Sequence, residues 1–219
     1  MQIAFMAILV VAFLAAVVSF TVIGLRHSAH TKTLSNYAHR RGVLFSHEDP
    51  FEIPLRYSQF AIISCGHSPR AYNVMYGQLG HWPGRAFTFR YEVGHGTRRL
   101  SRRYGIIVLE LGQALPDVLM WNQADKPQAP LEVRAGDKNC DDWTFVGDGD
   151  LARTLSRSAQ ALKDRGLNIQ VSGRSLMLAM PAQGSEKWDY ADWLDDALSI
   201  AATATGLDEE TSDKTNSPA

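Results

Sequence analysis

At 219 residues and 24.3 kDa the chain has room for one domain with appendages, and its composition (45% hydrophobic, 21% charged, formal net charge −1) excludes a wholly disordered or collagen-like polypeptide. Two cysteines exclude a disulfide-dense scaffold and any zinc site built from three or four thiolates. The near-neutral balance hides a split: residues 1–25 carry no charge, residues 26–110 carry 12 Lys/Arg against 5 Asp/Glu, and residues 111–219 carry 10 against 18.

Ile3 to Leu25 is an uncharged apolar run broken only by Ser19, Thr21 and Gly24. At about 1.5 Å per residue a helix over it reaches roughly 34 Å, the span of a hydrocarbon core, which predicts a transmembrane helix over residues 1–25 with the bilayer as partner of residues 3–25. The absence of a basic n-region, the length of the run and the lack of an A-x-A site argue against a cleaved signal peptide. Arg26, Lys32, Arg40 and Arg41 follow it, so the positive-inside rule predicts a single-pass inner (plasma) membrane protein with its N-terminus outside and its soluble domain cytoplasmic. In that compartment Cys65 and Cys140 stay reduced.

Residues 26–54 read as a juxtamembrane helix (Thr33–Arg41, stopped by Gly42) and a linker carrying Pro50 and Pro54. Residues 55–206 read as the soluble domain. Strands are expected at Leu55–Ser64, Ala71–Gln78, Arg85–Val93 and Tyr104–Leu111, with turns at Gly80–Gly84 and Gly94–Gly96. Phe87, Phe89 and Tyr91 alternate with Thr88 and Arg90, the period of a sheet, while Gly105–Leu111 is almost continuously apolar, as in a strand buried on both faces. Further on, Val118–Trp121 and Asp142–Val146 read as strands and Asp150 as the N-cap of a helix over Leu151–Asp164 that Gly166 ends. Asn168–Val171 and Ser175–Met180 form a hairpin. A last helix over about Lys187–Ala204 closes at Gly206, and residues 207–219 read as a disordered acidic tail. The expected fold is thus α+β: an N-terminal transmembrane helix, then an antiparallel β-sheet domain with two C-terminal-half helices packed on it.

Four arginines within six residues, Arg98, Arg99, Arg102 and Arg103, are the most informative charged feature. Clustered guanidinium groups suit phosphates, and beside a membrane the natural partner is anionic lipid headgroups or a membrane protein rather than nucleic acid. The alternative role is a solvated edge that blunts strand pairing. Asp137, Asn139, Asp141 and Asp148 fall at positions 1, 3, 5 and 12 of a calcium-loop pattern, but position 6 is Asp142 where the sharp turn wants Gly, so an acidic turn accounts for them equally. All seven histidines lie between His27 and His95; His27 and His30 are spaced for one helix face, and His81 and His95 fall in turns. Asp189, Asp192 and Asp196 sit at helical spacing, read most simply as a solvated face. Cys65 lies near His67 in sequence, yet a thiol nucleophile takes its base from spatial, not sequential, neighbours. No nucleophile elbow, P-loop or dinucleotide fingerprint is present, and nothing implies a cofactor.

The segments Arg70-Ala-Tyr-Asn73-Val-Met-Tyr-Gly77, Gly84-Arg85-x-Phe87-x-Phe89-x-Tyr91, the arginine loop, Val108-Leu-Glu-Leu111 and Leu115-Pro116 resemble a group of uncharacterised bacterial membrane-anchored proteins. The resemblance implies an α+β domain over roughly residues 35–200 and carries no catalytic residue. The functional expectation is therefore a membrane-tethered binding or scaffolding module. The competing expectation is a membrane-anchored hydrolase or metal-dependent enzyme using Asp and His groups on the hairpin edge, which requires several of His67, His81, His95, Asp141 and Asp148 to converge.

Overall fold

A computed structural model describes residues 2–134, 138–182 and 190–207. Helix α1 runs unbroken from Gln2 to Arg40 and turns at Gly42 into strand β1 (Leu44–Glu48). The apolar run is therefore no separate segment but the first part of a 39-residue helix that continues through Arg26, Lys32 and the polar turns beyond. Among the described residues no helix is long and apolar enough to cross a membrane, which corrects the expected N-terminal transmembrane helix, the single-pass signal anchor and the topology built on them.

Pro54 lies at the start of a one-turn helix, α2 (Ile53–Arg56), where its missing N–H costs nothing. The following residues, expected as a strand over Leu55–Ser64, form turns that bury Tyr57, Phe60, Ile62 and Ile63. That segment is pinned to the sheet, the Ala61 amide donating to Gln170 Oε1 at 2.8 Å. The long strands β2 (His67–Leu79), β3 (Trp82–Val93) and β4 (Leu100–Glu110) come next, then β5 (Val118–Asn122), a short helix α3 (Leu131–Arg134), β6 (Asn139–Cys140) and β7 (Trp143–Gly147). Helix α4 (Gly149–Ser158) follows, capped by Asp148 rather than Asp150: Asp148 Oδ1 accepts the Asp150 and Leu151 amides at 3.1 and 2.8 Å. The chain finishes with β8 (Asn168–Ser172), β9 (Ser175–Pro181) and α5 (Leu194–Thr205), the last stopped by Gly206 in the left-handed conformation. Residues 183–189, where the last helix was expected to begin, and the acidic tail from 208 onward lie outside the described residues.

All nine strands join one antiparallel sheet in the order β1-β2-β3-β4-β9-β8-β5-β7-β6. The pleat sends alternate residues to two cores. Ile107 and Leu109 of β4 face one core, shared with Leu151, Leu155, Leu194, Ala197 and Ile200 of α4 and α5 and with Leu34 and Ala38 near the end of α1. Tyr104, Ile106 and Val108 of the same strand face the other, which Ile53–Ile63 and Val133 of α3 cover. β4 is thus the doubly buried central strand that its near-continuous apolar run implies.

Candidate functional site

The clustered arginines are separated by the pleat. Arg98 lies in the 3-10 turn Gly96–Arg98 between β3 and β4, and Arg99, just before β4, reaches Glu92 Oε2 at 3.2 Å. Arg102 and Arg103, adjacent on β4, point to opposite faces. Arg102 lies on the side of Tyr104, where its charge bears on a buried polar group that sequence reasoning missed. There, Asp125 Oδ2 accepts from the Tyr104 hydroxyl and from Asn168 Nδ2, both at 2.9 Å, while Trp121 Nε1 donates to the Asp125 carbonyl at 3.0 Å. Burial raises the Asp125 carboxyl above its ordinary range, although the bonds from Asn168 and Tyr104 and the charge of Arg102 all favour its ionised form. Burial likewise pushes Tyr91, stacked 6.0 Å from Tyr104, up to about 12, and raises Tyr104 further. These groups are enclosed, so the network fixes packing rather than meeting a substrate. Asp125 falls in a Pro-containing 3-10 helix over Gln123–Gln128, and nothing in the sequence marks it as buried.

Of the calcium-pattern residues, Asp137 lies outside the described residues. The others have separate tasks: Asn139 Oδ1 accepts from Thr144, Asp141 Oδ2 accepts from Ser156, and Asp148 caps α4. Among the described residues no group of three or more His, Cys, Asp or Glu side chains is placed to hold a metal. The enzyme expectation fares similarly. His67 and His95 stack at 5.5 Å beside Glu92, but His81 sits in the β2–β3 turn at the far end of β2, and Asp141 and Asp148 flank β7 near the other edge of the sheet. Cys65 and Cys140 are not joined in a disulfide, and Cys140 Sγ lies 3.2 Å from Ser156 Oγ.

A cleft of about 760 Å³ at one end of the sheet is lined by His81, Trp82, Glu110, Gln113, Arg174 and Thr205 among others, and Arg174 there is spent on the Leu111 and Gly112 carbonyls. A smaller one, about 390 Å³, lies where β1 meets β2 and is lined by His47, Glu48, Asp49, Arg70, Tyr72 and Arg90. Next to the lining residue Tyr72, β2 bulges: Asn73, at φ 53°, accepts from His47 Nδ1 at 2.8 Å through its side chain and from the Tyr190 hydroxyl at 2.6 Å through its carbonyl.

Among the described residues, most of the exposed large apolar side chains gather on α1. Leu9, Val10, Val11, Phe13, Leu14, Val17 and Val18 are all exposed. With 3.6 residues per turn, the consecutive Leu9, Val10 and Val11 face three different sides, so the helix has no wet face there. Ser19 and Thr21 hide their hydroxyls by donating back to the Ala15 and Val17 carbonyls at 2.8 Å. At its other end the helix is locked down: Leu34 and Ala38 are buried in the core.

No protein-family model matches the chain, and no curated protein matches it. In the crystal structure of the mycobacterial trehalose monomycolate transport factor A, TtfA, the chain finds a similar fold, with a TM-score of 0.55 at 16% sequence identity over 81% of this chain and 93% of that one. At that identity the likeness establishes a fold shared with a bacterial protein.

Proposed function

We propose that this chain is a membrane-associated binding or scaffolding module with a lipid-related role. The observation that carries the reading is the apolar surface of α1 from Leu9 to Val18, exposed on every side and attached without a break to a helix end buried in the sheet domain. Exposed in water, such a surface is unfavourable; against lipid it is satisfied. A fold shared with a trehalose monomycolate transport factor supports placing the chain beside lipid traffic. The sheet domain would then present its outer surfaces to a partner at the membrane, with the exposed Arg98 on the β3–β4 loop turned to anionic headgroups.

Vesicle flotation of the full chain tests this. With neutral phosphatidylcholine vesicles the wild-type protein rises with the lipid, and a variant carrying Phe13→Asp and Val17→Asp stays at the bottom of the gradient. Wild-type protein that stays at the bottom, or a variant that floats equally, contradicts the proposal.

A further inference from the structure

The register of the sheet places three arginines side by side. Arg70 of β2 stands directly opposite Arg90 of β3, and Arg90 stands directly opposite Arg103 of β4. Directly opposed residues on neighbouring antiparallel strands share a face, and strands lie about 4.8 Å apart, so three guanidinium stems rise from one row roughly 10 Å long. Like charges in that arrangement repel, and the described residues do little to relieve them. Arg90 donates from Nε to Ser101 Oγ at 2.7 Å and lies 3.8 Å from Glu92 Oε1, but Glu92 is shared with Arg99 at 3.2 Å. Among the described residues neither Arg70 nor Arg103 has an ion-pair partner. Arg70 and Arg90 also line the 390 Å³ hollow, with Arg103 next to Arg90 on the neighbouring strand. Of the two carboxylates there, Asp49 is committed, its oxygens accepting the Phe51 and Ile53 amides at 2.9 and 2.7 Å, which leaves Glu48 at the rim.

We propose that Arg70, Arg90 and Arg103 form a binding site for a phosphate group carrying two or more negative charges. Planar forks on adjacent strands offer paired N–H donors that match phosphate oxygens, and a multiply charged anion between them turns the repulsion of the row into attraction. The source is either a phospholipid headgroup or a soluble phosphate compound. The site stands on β-sheet register and is independent of what α1 does. Of the three, only Arg103 belongs to the arginine cluster evident in the sequence; Arg70 and Arg90 join it only once strand register is known.

The test uses the full chain and two probes. Titration with pyrophosphate reports the soluble source. The increment in flotation when phosphatidic acid, whose phosphomonoester can carry two negative charges, is added to phosphatidylcholine vesicles reports the headgroup, while binding to pure phosphatidylcholine reports α1 alone. Arg70→Gln, Arg90→Gln and Arg103→Gln should each weaken the responding probe about tenfold, the loss of one charge-assisted contact. Arg157→Gln, on an exposed position of α4, should leave it unchanged, and Glu48→Gln should strengthen it. Pyrophosphate should also raise the melting temperature of the wild-type protein and not that of the triple Gln variant. A response to either probe with this pattern supports the site and names its source. No response to either probe, or a triple variant that binds like Arg157→Gln, overturns it.

Discussion

Arg41, one residue beyond α1, donates from Nη2 to Asp195 Oδ2 at 2.5 Å, and so ties the end of the first helix to the first turn of the last. The bond to Arg41 lowers the Asp195 carboxyl below its ordinary range, and an acid in the first turn of α5 also suits the helix dipole. Arg41 further lies 5.2 Å from the Tyr37 ring, so the pair extends the packing of Leu34 and Ala38 rather than acting alone.

Asp195→Asn should therefore destabilise the fold, by only about 0.5 kcal/mol because both partners are substantially exposed. A carboxyl depressed in the folded state stabilises above its unfolded value, and that contribution is lost as pH falls through the folded one. Thermal melts between neutral and acidic pH check this: the gap between wild type and variant should close on acidification and shrink in high salt.

Asp125 behaves with the opposite sign. Its carboxyl is raised by burial, so its contribution is complete below the unfolded value and declines as pH rises through the folded one. Asp125→Asn keeps an oxygen for Tyr104 and Asn168 and should flatten that part of the pH profile. Asp125→Ala strands both donors in the core and should cost about 2 kcal/mol, read by denaturant unfolding.

How much was visible beforehand depends on whether the determining physics was local. Phe87, Phe89 and Tyr91 declare β3 because alternation is written into adjacent positions, and Gly206 ends α5 because the left-handed stop is a one-residue property. The run from Leu55 to Ile63 misleads for a related reason. Its spacing of apolar residues suits a strand, yet what those side chains satisfy is the lower face of a sheet built elsewhere, reached through turns. β1 escaped notice because it is a five-residue edge strand, half exposed and carrying His47 and Glu48. The apolar leader was plain as a stretch but not as part of a longer helix, since nothing in its own composition tells that α1 runs on to Arg40. The candidate sites were least legible. Arg98 to Arg103 read as one patch until the pleat divides Arg102 from Arg103, and the Asp125 network joins residues from distant strands.

The most direct measurement of the central claim is the environment of α1 beside lipid. An environment-sensitive fluorophore is attached at Leu9→Cys, Phe13→Cys or Val17→Cys in a Cys65→Ser, Cys140→Ser background, with Leu55→Cys, an exposed apolar position on α2, as reference. On addition of phosphatidylcholine vesicles, emission from the three α1 positions should shift to the blue and emission from position 55 should not. Unshifted emission along α1, or an equal shift at position 55, would contradict the account.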